Sequence, residues 1–125
     1  MDEKIVQKLI SQRYSVKQMI AYFIFGYLNT EDKEEFKNIL NSISSQIIKI
    51  DKTEILKMIR VKYIEDIDIY WRLTAEQMLC YAYIVFESLM KENRKIRIQD
   101  IKNEFIVLSK LYSPSNAVEY VENIK

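Results

Sequence analysis

Two groups of basic residues in this sequence have the chemistry to contact phosphates. The first group is Lys52, Lys57, Arg60 and Lys62, and the second is Lys91, Arg94, Lys95 and Arg97. Basic helix faces are more often simply solvated, and no glycine-rich phosphate-binding loop accompanies these residues. The two groups therefore predict a nucleic-acid contact only if the fold brings them onto one face.

Acidic side chains form two further groups, which could bind a hard cation. They are Glu31, Asp32, Glu34 and Glu35, followed by Glu65, Asp66 and Asp68. The first group is expected to occupy the first turn of a helix, where the helix dipole favours carboxylates. The second group lacks the glycine that shapes a calcium-binding loop. We therefore interpret both as structural or solvated, and we predict no metal and no cofactor.

The sequence lacks the usual combinations of catalytic residues. It contains no histidine, which excludes Ser-His-Asp and Cys-His arrangements and histidine metal sites. Its one glycine, Gly26, excludes a P-loop and a dinucleotide-binding loop. The one cysteine, Cys80, lies in an apolar segment, which favours a packing thiol over a reactive one. We therefore predict that the protein is not an enzyme and has no catalytic residues.

A repeated stretch organises the elements that must position these side chains. Residues 13–22 read RYSVKQMIAY, and residues 72–81 read RLTAEQMLCY. Ser15 with Gln18, and Thr74 with Gln77, have the spacing of a capping box, which begins a helix. An uncharged apolar run follows each box, over residues 19–28 and 78–86. Both runs are too short to span a bilayer, so they predict two buried helices in contact with each other.

Helical spacing of apolar residues continues on both sides of the two capped segments. The pattern predicts a short amphipathic helix over residues 2–12, which includes Ile5, Val6, Leu9 and Ile10. Further helices are expected over residues 36–48, after a cap at Asp51, over residues 98–111, and after a cap at Ser113 with Pro114 at the first helical position. Leu111 is the last apolar residue that marks the helix over residues 98–111, and Val118, Val121 and Ile124 should face inward from the last helix. Residues 63–72 are expected to form a helix tail and then an extended linker, with Tyr70 and Trp71 as a packing anchor.

The fold class follows from these helices and from the low content of turn residues. One glycine and one proline in 125 residues disfavour a turn-rich β fold. We predict an all-α fold of six to seven helices, in two pseudo-repeated three-helix units around the two capped core helices. Residues 1–125 should form one compact helical domain, with the units at residues 1–64 and 73–125. Gly26, inside the first capped helix, indicates a close backbone approach.

The C-terminal half resembles a family of DNA-binding proteins. The similar motifs are LTAEQ at residues 73–77, RIQDI at residues 97–101 and SPSNA at residues 113–117. They are similar to the winged helix-turn-helix at the start of LexA-type repressors. The resemblance implies a trihelical unit whose last helix reads the major groove. On this sequence, the outward positions of that helix would be Ser115, Asn116, Glu119, Tyr120 and Asn123.

Two functions are compatible with these patterns. The leading prediction is a small non-catalytic regulatory or inhibitory protein that binds another protein, since a net charge of +1 gives no global attraction to nucleic acid. The alternative is a DNA-binding transcriptional regulator with a helix-turn-helix-like C-terminal unit. Its phosphate contacts would be Lys57, Arg60, Lys62, Arg94, Lys95, Arg97 and Lys102. We expect these cations to be scattered, and Glu119 and Glu122 to repel a DNA backbone.

The remaining expectations concern location and assembly. The N-terminus has no signal-peptide pattern, and one cysteine gives no disulfide framework. The sequence therefore predicts a cytoplasmic protein without a membrane segment. Both candidate functions are compatible with a homodimer.

Overall fold

The computed structural model describes residues 3, 7, 10–92 and 94–124. Its elements are β1 (Tyr14–Ser15), α1 (Val16–Leu28), α2 (Phe36–Lys49), α3 (Lys52–Met58), a 3-10 helix (Val61–Tyr63), β2 (Arg72–Leu73), α4 (Ala75–Lys91), α5 (Ile98–Ser109) and α6 (Pro114–Ile124). The predicted all-α fold is confirmed, with a two-residue antiparallel ladder as the one β feature of the described residues. Most of the helix predicted over residues 2–12, including Ile5, Val6 and Leu9, lies outside the described residues.

Both predicted capping boxes are present at the starts of α1 and α4. The Ser15 hydroxyl accepts from the Gln18 amide at 3.1 Å, and the Gln18 side chain accepts from the Ser15 amide at 2.8 Å. Thr74 and Gln77 make the same two bonds, at 3.0 and 2.9 Å. These bonds satisfy backbone N–H groups that have no partner within the helix, and so they determine where each helix begins.

The two capped helices meet through equivalent residues at both of their ends. At their starts, Tyr14 of β1 lies opposite Leu73 of β2 in the antiparallel ladder. Near their ends, the rings of Tyr27 and Phe86 stack with centroids 5.7 Å apart. Both pairs have the same sequence offset as the repeated stretch. Because equivalent residues meet at two separate points, an approximate two-fold axis relates α1 to α4. The predicted contact between the capped helices is confirmed.

The repeat extends through the second and third helices of each unit. The starts of α2 and α5, and the residues that cap α3 and α6, correspond at one common offset. Buried residues correspond at that offset in four pairs: Ile39 with Ile101, Ile43 with Phe105, Ile55 with Ala117, and Ile59 with Val121. The offset exceeds that of the first helices because α4 has 17 residues and α1 has 13, while the connection after α4 is shorter. The two pseudo-repeated units are therefore α1–α3 and α4–α6.

An equivalent tyrosine bond closes each unit. Tyr22 on α1 donates to the carbonyl of Ile50 at 2.5 Å, and Tyr81 on α4 donates to the carbonyl of Tyr112 at 2.6 Å. Each acceptor directly precedes the residue that caps the third helix. Burial raises the pKa of both phenols, so both hydroxyls remain protonated donors. The bond holds the connection between the second and third helices against the first helix.

Gly26 lies at a close approach between the backbones of α1 and α2. A Cβ at this position would lie 2.6 Å from Cγ1 of Ile43 and 2.8 Å from its Cα. The Gly26 carbonyl also accepts hydrogen bonds from the Ser42 hydroxyl at 2.6 Å and the Thr30 hydroxyl at 2.7 Å. The predicted close backbone approach is confirmed.

The linker between the units differs from the prediction. No α-helical tail continues past residue 63, because α3 ends at Met58 and only the short 3-10 helix follows it. Trp71 stacks on Tyr81 with ring centroids 6.2 Å apart and meets Phe105 edge to face. Tyr70, however, is 82% exposed, so it does not share the packing role that we predicted.

Three further predictions about side-chain positions are wrong. The acids of residues 31–35 precede α2 rather than occupy its first turn, and Asp32 instead accepts from the Glu34 amide within the connection. Leu111 is 67% exposed because it lies beyond the end of α5, where helical spacing no longer applies. Ile124 is exposed as the last helical residue of α6.

We expect Gly26→Ala to destabilise the protein. Alanine is favoured over glycine in a helix by about 1 kcal/mol, so propensity alone predicts a gain. The new Cβ would overlap the backbone of Ile43, and overpacking of this kind costs about 1–3 kcal/mol. Urea unfolding measures the net change, and a variant more stable than the wild type would contradict the close approach.

Tyr22→Phe and Tyr81→Phe should each lower the free energy of unfolding by about 1 kcal/mol, since each leaves a carbonyl without its donor. Tyr83→Phe is the matched control, because its ring keeps the edge-to-face contact with Phe36. We expect a smaller loss from the control in the same denaturant titration. Equal losses from all three variants would argue against a specific role for the two hydroxyls.

Candidate functional site

An open groove of about 700 Å³ lies where the two units meet. It is formed by the ends of α1 and α4 and by the connections that follow them, which are equivalent in the repeat. Its lining residues are Tyr27, Lys33, Glu34, Met90, Arg94, Lys95 and Ile96. A concave surface that combines apolar lining with a few polar groups is a candidate binding site.

Tyr27 joins the two sides of this groove. Its ring stacks on Phe86, and the Lys33 ammonium lies over the ring, 5.6 Å from the centroid. Its hydroxyl donates to the carbonyl of Ile96 at 3.5 Å, and burial raises the pKa of this phenol. The Lys33 ammonium also donates to the carbonyl of Thr30 at 2.7 Å, where a cation complements the end of α1. The apolar floor of the groove consists of Tyr27, Met90 and Ile96. Contacts from both units therefore hold Tyr27 in this floor.

Beside the groove, arginines and acids form a network at the start of α5. Arg94 pairs with Glu92 at 2.6 Å and with Asp100 at 3.5 Å, and Arg97 pairs with Asp100 at 3.4 Å. Asp100 also accepts from the Arg97 backbone amide at 2.8 Å, in a capping position, although it is only 8% exposed. That backbone bond and the guanidinium groups lower the pKa of Asp100. Acids of the same chain thus already hold both arginines.

Lys102 is buried and does not line the groove. It is 4% exposed, and its ammonium donates to Asp66 in the linker at 2.8 Å. This bond lowers the pKa of the Asp66 carboxyl. Lys102 therefore holds the linker against α5, with its charge buried and paired.

The remaining candidate cations and the α6 residues lie outside the groove. Lys57 pairs with Glu54 at 3.2 Å, Arg60 is exposed after α3, and the Lys62 ammonium lies over the Tyr63 ring. On α6, the exposed side chains are Ser115, Asn116, Glu119, Glu122 and Asn123. Tyr120 is half-buried, with its hydroxyl donating to Glu87 at 3.2 Å. Of the residues predicted as contacts, the groove brings together Arg94 and Lys95.

The chain offers little for metal or thiol chemistry where the structure describes it. Among residues 3, 7, 10–92 and 94–124, no three His, Cys, Asp or Glu side chains converge as a metal site requires. Cys80 is buried on α4. None of the described helices combines the length and the apolar character needed to cross a membrane.

Sequence reasoning did not identify Tyr27, Lys33, Met90 or Ile96 as site residues. One available signal was the repeat, because the connections after two equivalent helices should converge near the axis that relates them. The periodicity of each helix could not indicate this, since Tyr27 and Ile96 are far apart in sequence and meet only through the contact between units.

We expect Asp100→Asn to lower the free energy of unfolding at neutral pH and to make it depend less on pH in the acid range. The lowered pKa means that the carboxylate stabilises the fold above its ordinary pKa of 3.8, and that this contribution is lost as pH falls through the lowered value. Urea unfolding measures this between about pH 7 and about pH 2.5. Compared with the wild type, the variant should have a lower free energy of unfolding at neutral pH, and that free energy should fall less steeply as the pH decreases. Glu31→Gln, which alters an exposed carboxylate, is the control. An unchanged decline in Asp100→Asn would contradict the prediction.

Comparisons with known proteins gave no relative that could identify the site. No protein-family model, no curated protein and no solved structure matches the chain. The resemblance to LexA-type repressors therefore stays a prediction from the sequence.

Proposed function

We propose that the protein is a non-catalytic regulator or inhibitor that binds another protein through the groove between its two units. The observation that carries the proposal is the combination of an apolar floor with a charged rim at one preformed concave surface. Protein-binding surfaces typically have an apolar centre surrounded by polar groups. Contacts from both units hold Tyr27 and Ile96 in place, so binding would require little ordering of the floor.

The charges of the rim favour an acidic partner segment. Lys33 and Lys95 contribute two cations to the lining, against one carboxylate from Glu34, while Arg94 is already paired with Glu92 and Asp100. Complementary charge increases the association rate and the specificity of such a contact. The groove volume suits a few side chains rather than a whole domain. We therefore expect a short segment that carries carboxylates and inserts one or two apolar side chains.

Ion pairs within the chain support a protein partner over DNA. Arg94, Arg97 and Lys102 would each have to exchange an existing carboxylate for a phosphate. Two exposed carboxylates, Glu119 and Glu122, also lie on the helix that would read the major groove. Each phosphate contact contributes close to one unit of salt dependence, so few available cations mean weak, shallow binding.

A photo-crosslinking residue tests the proposed site. Placed at Lys95 in the groove, it should give a discrete protein adduct in cells, whereas the same residue at exposed Lys110 should not. A second variant with Lys33→Glu should reduce the Lys95 adduct, because the rim loses a cation. Equal crosslinking from both positions, or none from Lys95, would contradict the proposal.

A duplex titration tests the DNA alternative. At about 50 and about 200 mM salt, we expect weak binding without a steep salt slope. Arg94→Glu/Arg97→Glu is the charge-reversed control. Tight, salt-steep binding that this control abolishes would replace protein binding with the DNA-binding function.

A further inference from the structure

The third helix of each unit leaves one side without a partner among the described residues. Ile55 and Ile59 turn inward from the α3 segment, and Ala117 and Val121 turn inward from α6. Their opposite sides are exposed. We define the basic face as Lys57, Met58, Arg60, Val61 and Lys62, and the acidic face as Asn116, Glu119, Glu122, Asn123 and Ile124. The repeat places the two faces at corresponding points of the two units, although α3 ends at Met58 and α6 continues to Ile124.

Charges at equivalent positions of the two faces are opposite. The offset that aligns Ile55 with Ala117 aligns Lys57 with Glu119 and Arg60 with Glu122. Lys62 adds a third cation to the basic face, while the described residues of the acidic face include no cation. Lys57 pairs with Glu54 on the same helix, but both side chains are exposed, so this pair contributes little and can rearrange.

Apolar side chains accompany the charges on both faces. Met58 is 51% exposed, Val61 is 64% exposed and Ile124 is 46% exposed. Isolated exposed apolar residues are common, but here three of them lie beside complementary charges. A contact between the faces would remove this apolar surface from water as well as pair the charges.

We propose that the protein associates with a second copy of itself, with the basic face of one copy against the acidic face of the next. The charges support a self-contact, because Lys57, Arg60 and Lys62 are exposed cations and Glu119 and Glu122 are exposed carboxylates. Since unlike faces meet, the contact is heterologous. Such a contact joins copies head to tail, and the assembly closes into a ring only if the rotation between neighbouring copies permits it. The association does not depend on the groove between the units.

Sedimentation equilibrium of the full chain tests the association. The average mass of the wild type should rise with protein concentration at about 50 mM salt. The association constant should fall at least about tenfold at about 500 mM salt, because the pairing charges are exposed. A wild type that stays monomeric at every concentration up to about 1 mM, a range that includes weak complexes, would overturn the proposal.

Reversing the charges of each face in turn tests whether these two faces form the contact. Lys57→Glu/Arg60→Glu makes both faces acidic, and Glu119→Lys/Glu122→Lys makes both faces basic, so each variant alone should be monomeric. An equimolar mixture should regain association, because every contact between the two variants then joins unlike charges. Circular dichroism verifies that both variants are folded. A mixture that stays monomeric, or single variants that associate like the wild type, would overturn the proposal.

Two control variants change the same charges elsewhere. Lys37→Glu/Lys49→Glu reverses two exposed cations on α2, and Glu31→Lys/Glu65→Lys reverses two exposed carboxylates outside α6. Both should associate as the wild type does, within about twofold, if the pairing is local. Loss of association in these controls would show a dependence on net charge alone, which would also overturn the proposal.

Discussion

The antiparallel pairing of Tyr14–Ser15 with Arg72–Leu73 brings the starts of the two capped helices together. A ladder of two residues per strand would not be stable alone, because so few bonds cannot offset the ordering of the backbone. Here Tyr14 and Leu73 are fully buried, and a capping box follows each strand directly. The ladder and the stacked rings of Tyr27 and Phe86 then place α1 and α4 about one axis. The other helices take their positions from these two.

The two units share the same arrangement of helices but differ at two equivalent positions that have different structural roles. In the first unit, Gly26 allows the backbone of α2 to approach α1, while the equivalent pair in the second unit is Val85 with Phe105. Lys102 occupies the position equivalent to half-buried Leu40, and it binds Asp66 of the linker. A buried cation is costly unless it is paired, so this exchange makes the second unit the one that holds the linker.

The charge distribution limits what the protein can bind. Much of the positive charge of the second unit is paired within the chain, through Asp100, Glu92 and Asp66. Of the predicted phosphate contacts, Lys95 lies at the groove and Arg60 and Lys62 are exposed after α3, while other exposed cations such as Lys37 and Lys49 lie on α2. A protein partner with local complementary charge suits this arrangement better than an extended polyanion, which needs many phosphate contacts at once.

The sequence by itself determined the starts of α1, α4 and α6, the burial of the two apolar runs and the repeat. These features depend on caps and spacing within a few residues, where local physics dominates. Periodicity failed at Leu111 and Ile124, which lie past or at a helix end. The packing role predicted for Tyr70, which did not come from periodicity, is also wrong. Only the tertiary structure decided the groove, the pairing of Lys102 with Asp66 and the ladder between β1 and β2. Each of these joins residues more than thirty positions apart, and such contacts depend on how whole helices pack rather than on local spacing.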